Sequence, residues 1–277
     1  MLDMSVTRLY ELTIILYASS VLLYFIDFLQ HNRKANRVAF WLLSIVWLLQ
    51  STFLVIQMIK TGRLPILTVF EGLYFYAWVL ISLSLVINRL LKVDFLVFFT
   101  NLLGFFIMAL HTFAPAQHES AVVAQQLVSE LLIIHITMAL LSYGALTVSF
   151  VLTVLYVIQY NLLKQKKWGK RLLRINDLSK LEHVAYLFVV HGVATLLLAL
   201  LLGIIWAYVK VPHFQWYDAK VTGSFTVLAV YCVYLYLRVS LNVHGKKLAL
   251  WNIAAFFVLL INFFLFGSLS RFHFWYS

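Results

Sequence analysis

The sequence has few charged residues, one cysteine and little proline, and each shortage excludes a class of protein. Only 11% of its 277 residues are charged, whereas a soluble domain has about 25%. The single cysteine, Cys232, excludes an intrachain disulfide and any CxxC zinc or redox pair. With three prolines and ten glycines, no linker divides the chain. We therefore predict one integral membrane domain over residues 1–277.

Apolar runs take up most of the chain, since 64% of the residues are hydrophobic. Runs of about 18 or more apolar residues are typical of membrane-spanning helices. We predict an all-α, polytopic membrane protein with eight transmembrane helices. The predicted spans are about 9–29, 38–59, 66–87, 95–113, 127–163, 181–209, 222–241 and 248–269.

The basic residues divide unevenly between the two predicted sides. Of the 21 Lys and Arg residues, 15 fall in the connections after spans one, three, five and seven, and six fall on the other side. Cytoplasmic loops carry the excess of Lys and Arg, so both termini are predicted to lie outside. The net charge of +11 is therefore explained by membrane topology, and we predict no nucleic-acid partner.

Nine histidines are many for so apolar a chain, and two of them are candidate metal ligands. His135 lies in the outer part of span five, and His273 lies just beyond the outer end of span eight. Neutral imidazole is the usual protein ligand of haem iron and other transition metals. A ligand between the two helices would take one axial nitrogen from each. The alternative is a histidine hydrogen-bonded to a neighbouring helix backbone.

The connection between spans six and seven carries aromatic rings beside charged groups. Trp206, Trp216 and Tyr217 accompany Asp218 and Lys220. An ordinary aromatic belt accounts for many rings at such depths but does not need the charges. Rings with a few polar groups suit a flat amphipathic ligand such as a porphyrin.

Glu71 follows Pro65 inside the apolar run of span three. A carboxylate there is costly unless it is paired, protonated or facing a polar cavity, and a functional role is the default hypothesis. The alternative is a hydrogen bond to a neighbouring helix.

Four stretches resemble the cytochrome c assembly protein family, whose members handle haem at the outer face of the membrane. The region from Gly203-Ile-Ile-Trp206 through Trp216-Tyr217-Asp218-Ala-Lys220 resembles the family's tryptophan-rich "WWD" region. The other three are Pro65 to Glu71, His135 with Ser142-Tyr143, and Asn262 with His273. The resemblance covers about residues 65–277, which we take as a haem-handling region.

The resemblance implies haem b as the cofactor, with His135 and His273 as the two outer iron ligands. It also implies membrane lipid and haem as partners, a membrane partner protein, and the bacterial cytoplasmic membrane as the location. The implied cofactor-binding residues are His135, His273, Trp206, Trp216, Tyr217, Asp218 and Glu71.

The WWD-like motif departs from the family pattern at four positions, since Gln215, Tyr217, Ala219 and Val221 replace its usual residues. These departures favour the short, HemX-like branch, associated with haem biosynthesis or transport and with the level of glutamyl-tRNA reductase. No nucleophile–base pair, phosphate loop or thiol pair is recognisable, so a non-enzymatic role is expected.

Three other functions remain open from the sequence. The first is a cytochrome c synthesis component, or haem lyase, that presents haem at the outer face. The second is a b-type electron-transfer cytochrome with a quinone site, for which the inner-half histidines His183 and His191 are candidates. These two lie about 80° apart around one helix, so they cannot ligate a single iron. The third is a solute transporter with Glu71 as its coupling carboxylate.

The division of basic residues gives a testable topology. Reporter fusions at Ser277 and within residues 114–121 should report the outside, and a fusion within residues 164–174 should report the cytoplasm, because basic loops stay inside. A cytoplasmic C-terminus would contradict the prediction, since it would separate His273 from the side of His135.

Overall fold

The computed structural model describes residues 2–91, 94–113, 129–166, 177–211, 214–266 and 269, and the described part is helical without a strand. The described part has eight α-helices: α1 Leu2–Gln30, α2 Arg33–Thr61, α3 Val69–Leu91, α4 Asp94–Phe113, α5 Glu130–Lys164, α6 Leu178–Lys210, α7 Ala219–Val239 and α8 Lys246–Ile261. A π-helical turn, Asn262–Phe266, follows α8.

The predicted fold class, a polytopic α-helical membrane protein, is confirmed. Seven of the described helices are long and apolar enough to cross a membrane, and α4 contributes a shorter apolar stretch, Phe95–Leu110. Helices suit this environment because they satisfy their backbone hydrogen bonds internally. The prediction that both termini lie outside stays a prediction.

The chain divides into two compact units, Met1–Ala116 and Gln117–Ser277, each with its own packing. In the first unit, α1 packs on α2 and α4, and α3 packs on α2 and α4. Buried polar groups join these helices: the Tyr17 hydroxyl donates to Asn101 (3.2 Å), whose amide donates to Ser84 (2.8 Å). Such interhelical bonds supply attraction that apolar packing alone does not supply in lipid.

In the second unit, α5 packs along α6 and also contacts α8, and α7 packs on α6 and α8. Three side chains of α5, spaced by seven residues, each hydrogen-bond a backbone carbonyl of α6. The pairs are His135 Nδ1 with Ala199 O at 2.6 Å, Ser142 Oγ with Gly192 O at 2.7 Å, and Ser149 Oγ with Ala185 O at 2.9 Å. The carbonyls are also seven residues apart and run in the opposite direction, so this carbonyl ladder fixes the register of two antiparallel helices.

Small residues on α6 permit this close approach. A Cβ at Gly192 would lie 2.7 Å from Cδ2 and 2.8 Å from Cγ of Leu146, closer than real contacts allow. Small residues let backbones approach in membranes, where packing and hydrogen bonds drive helix association. Gly192 is therefore required by the α5–α6 interface.

Gly192→Val should separate α5 from α6 and weaken the carbonyl ladder. Overpacking of this kind costs about 1–3 kcal/mol, and thermal unfolding of the purified protein in detergent measures it. Ala194→Val, on the exposed face of the same helix, is the matched control and should leave the midpoint unchanged. Equal midpoints for both variants would mean that the interface is looser than described.

Candidate functional site

His135 is held by the outermost bond of the carbonyl ladder. Its Nδ1 lies 2.6 Å from the carbonyl oxygen of Ala199. A carbonyl oxygen only accepts hydrogen bonds, so Nδ1 carries the proton in the neutral ring and Nε2 keeps its lone pair. This arrangement, in which one ring nitrogen donates and the other coordinates, is the one that metal-binding histidines use. His135 is thus prepared to act as a ligand through Nε2.

Gly203 gives the imidazole its place against α6. It lies one helical turn beyond Ala199, on the same face of the helix. A Cβ at Gly203 would lie 2.5 Å from Cε1 and 2.6 Å from Nδ1 of His135. The ring therefore packs directly on the backbone of α6, and any larger residue at position 203 would displace it.

Of the three aromatic residues predicted to bind the cofactor, one is buried and two are exposed. Trp206, one turn beyond Gly203, is 6% exposed, and its indole Nε1 has no hydrogen-bond partner within the described residues. Trp216 and Tyr217 occupy the centre of a turn closed by the bond from Asp218 N to Gln215 O (3.1 Å), and they are 58% and 75% exposed. The indole N–H of Trp206, which has no partner within the described residues, thus lies near the end of α6. The exposed rings of Trp216 and Tyr217 lie just before α7.

Asp218 is the residue just before α7, and its side chain caps the start of that helix. The residue is buried, and its carboxylate accepts a hydrogen bond from the backbone N–H of Lys220 at 2.8 Å. This is the standard cap for the start of a helix. It also fixes the backbone that carries Lys220.

Glu71, assigned by the sequence to the cofactor site, belongs to the first unit. Its carboxylate makes two hydrogen bonds with the Arg63 guanidinium (2.9 and 3.2 Å) and accepts from the backbone N–H groups of Leu67 and Thr68. Thr68 Oγ1 in turn accepts from the Glu71 N–H at 3.1 Å, which completes a capping box. These contacts stabilise the start of α3, and a role for Glu71 in cofactor binding stays a prediction.

The remaining candidate histidines fall into two groups. His273, the predicted second ligand, lies outside the described residues, as do His118 and His213. His183 and His191 are exposed on α6, and the Nδ1 of His191 bonds within its own helix to Leu187 O at 2.8 Å. The described contacts do not join these two side chains.

Sequence reasoning did not identify the groups that orient His135. The carbonyl of Ala199 is 64 residues away along the chain, and a backbone carbonyl has no sequence signature. A signal existed in span five, where His135, Ser142 and Ser149 recur every seven residues on one face. That spacing could have predicted a polar interface with one other helix.

Comparison with known proteins gives a family match over most of the chain. The family model described as "Cytochrome C assembly protein" matches residues 66–273. This range includes His135, His273 and the aromatic connection between α6 and α7.

Named relatives extend the similarity to the whole chain. The chain is 62% identical over 277 residues to Protein HemX of Bacillus subtilis (strain 168), covering 100% of both proteins. It is 44% identical over 268 residues to Protein HemX of Brevibacillus brevis, covering 97% of this chain and 98% of the relative. It is 26% identical over 236 residues to the cytochrome c biogenesis protein CcsA of Chlamydomonas reinhardtii, covering 82% of this chain and 65% of the relative.

Gly203→Ala should displace the His135 imidazole and break its bond to Ala199, because the new methyl group would overlap the ring. Nitrogen-15 spectra of histidine-labelled protein in detergent report which ring nitrogen carries the proton, and the His135 signal is assigned by its loss in His135→Gln. Wild type should show Nδ1 protonated, and Gly203→Ala should lose this preference. Ala194→Val, on the exposed face of the same helix, should retain it. An unchanged signal in Gly203→Ala would contradict the described packing.

Proposed function

Since the chain belongs to the cytochrome c assembly protein family, in its HemX-like branch, we propose that it binds haem b and acts in haem biosynthesis or haem transport. The proposed effect includes control of the level of glutamyl-tRNA reductase. The observation that carries the proposal is the orientation of His135, whose Nδ1 donates to Ala199 O and whose Nε2 is left with its lone pair.

In this proposal His135 and His273 would hold the iron of one haem. His135 provides Nε2 from a rigid helix interface, which lowers the cost of ordering the ligand. The family model extends to His273, its last matched residue. A bound haem would supply the redox and ligand-exchange chemistry of its iron.

Residues at the end of α6 and the start of α7 have the chemistry that such a cofactor requires. The Trp206 indole is buried, and within the described residues its N–H has no partner. Trp216 and Tyr217 present exposed rings for stacking. Asp218 accepts a hydrogen bond from the backbone N–H of Lys220 and so fixes the start of α7. Glu71 is retained as a predicted member of the site on its motif alone.

The proposed role is non-enzymatic, with the chain providing ligation, stacking and orientation. The chain is a membrane protein by its apolar helices, and we propose the bacterial cytoplasmic membrane as its location. Lipid, haem and a membrane partner protein are the proposed partners, and nucleic acid is not among them.

A second candidate function is presentation of haem for cytochrome c synthesis. The 26% identity to a cytochrome c biogenesis protein CcsA favours it. Complementation separates the two candidates: a strain lacking its cytochrome c synthase should regain cytochrome c only if this second function is correct.

The proposal predicts that His135 and His273 are both required for low-spin haem. His135→Gly and His273→Gly should each leave five-coordinate iron or lose the haem, because one axial nitrogen is removed. Absorption spectra of the oxidised and reduced purified proteins measure this. Added imidazole should restore part of the low-spin signal by occupying the vacated position.

His183→Ala and His191→Ala are the matched controls, since both histidines are exposed elsewhere on α6. They should leave the spectrum unchanged. Wild-type haem content and spectrum in both His135→Gly and His273→Gly would show that the ligand assignment is wrong.

A further inference from the structure

A small cavity lies between the four helices of the second unit, toward the end of α5 that is opposite to His135. Its volume is about 10 Å³, and each of α5, α6, α7 and α8 contributes to its lining. Four of the lining side chains are polar, namely Thr153, Tyr156, Glu182 and Tyr234. A polar cavity of this size has room for one water molecule.

The two tyrosine hydroxyls at this cavity need hydrogen-bond partners. Tyr156 is 6% exposed and Tyr234 is 2% exposed. Neither hydroxyl forms a hydrogen bond with another residue in the part of the chain that the structure describes. Buried polar groups in proteins are almost always bonded, either to the protein or to ordered water. A molecule bound in the cavity would therefore satisfy both hydroxyls.

The Glu182 carboxylate supplies a hydrogen-bond acceptor beside the two hydroxyls. Its Oε1 accepts from the Arg238 guanidinium and from the Gly245 N–H (3.3 Å). Both tyrosines lie close enough to the carboxylate to interact with it electrostatically. Since the two oxygens of a carboxylate accept about four hydrogen bonds, Glu182 can accept one more from a molecule in the cavity.

The charges at the cavity favour a neutral molecule over an ion. Glu182 and Arg238 form an ion pair, which has no net charge. A cation would be repelled by Arg238, and an anion would be repelled by Glu182. A buried water molecule typically makes about three hydrogen bonds and both donates and accepts them. The hydroxyls and the carboxylate provide that combination of partners.

Thr153 connects the cavity to the polar groups that hold α5 against its neighbours. Its Oγ1 accepts from the Asn252 side-chain amide of α8 at 2.7 Å. The same amide donates to Ser149 Oγ at 2.8 Å, and Ser149 belongs to the carbonyl ladder with α6. A water molecule beside Thr153 would extend this interhelical network as far as Glu182 and the start of α6.

We propose that this cavity is a binding site for one ordered water molecule, held by the hydroxyls of Tyr156 and Tyr234 and the carboxylate of Glu182. The water joins α5, α6 and α7 by hydrogen bonds at the end of the second unit where Arg238 pairs with Glu182. The inference is independent of haem binding, because it uses no residue of the candidate haem site.

The direct test is oxidative labelling of the detergent-purified protein by hydroxyl radicals, which X-rays generate from water. A buried side chain is oxidised in this experiment when a water molecule lies against it. Mass spectrometry should find Tyr156 and Tyr234 modified. Tyr17, which is 0% exposed and bonded to Asn101 in the first unit, should stay unmodified.

A change in cavity volume identifies the source of the label. Ala249 lines the cavity, so Ala249→Val should exclude the water and remove the modification of Tyr156 and Tyr234. Ala254→Val, on the exposed face of the same helix, is the matched control and should be labelled as wild type. Labelling of Tyr156 and Tyr234 no stronger than that of Tyr17 in the wild type would overturn the proposal.

Tyr234→Phe gives a second test whose sign separates a hydrated cavity from a dry one. With water bound, loss of the hydroxyl removes a hydrogen bond and should lower the thermal midpoint by roughly 2–4 °C. In a dry cavity the same change removes an unsatisfied hydroxyl, so an unchanged or raised midpoint would contradict the proposal. Tyr236→Phe, at an exposed position of α7, should leave the midpoint unchanged.

The salt in the buffer distinguishes water from a cation. The wild-type midpoint should be the same in sodium chloride, potassium chloride and choline chloride of equal concentration. A midpoint raised by sodium or potassium in the wild type, but not in Tyr234→Phe, would show that the cavity binds a metal cation and that the assignment to water is wrong.

Discussion

The hydrogen bond from His135 Nδ1 to the carbonyl oxygen of Ala199 is the interaction on which the candidate site depends. It requires α5 and α6 to approach closely, which the glycines of α6 and the two serine bonds of the carbonyl ladder permit. The bond fixes both the tautomer and the orientation of the ring. A side chain that would otherwise rotate in an apolar environment is thereby held in one orientation, with Nε2 as a potential nitrogen donor.

The same end of the second unit contains a second constraint, the fixed position of the Lys220 ammonium. Asp218 fixes the start of α7, and the Asn262 carbonyl fixes the ammonium of Lys220. The imidazole of His135 and the ammonium of Lys220 are thus both held by backbone carbonyls. Such preorganisation reduces the entropy lost on binding.

The sequence predicted the helices well because apolar length is a direct physical requirement of the membrane. It also made His135 a candidate ligand, since an imidazole in an apolar run is chemically conspicuous, and that role stays a prediction. It could not predict that Trp206 is buried while Trp216 and Tyr217 are exposed, because all three rings lie near one predicted interface. For Glu71, part of the structural role could be predicted, because Thr68 and Glu71 have the spacing of a capping box. Its pairing with Arg63 could not, because that contact depends on the turn between α2 and α3.

The central claim is that this membrane chain binds haem through a preoriented histidine nitrogen. The most direct measurement is the absorption spectrum of the wild-type protein, purified in detergent from haem-producing cells and recorded oxidised and reduced. The account predicts a haem b spectrum with the sharp reduced bands of low-spin, six-coordinate iron. A protein that shows no haem absorption, even after ferric haem is added and the excess removed, would contradict it.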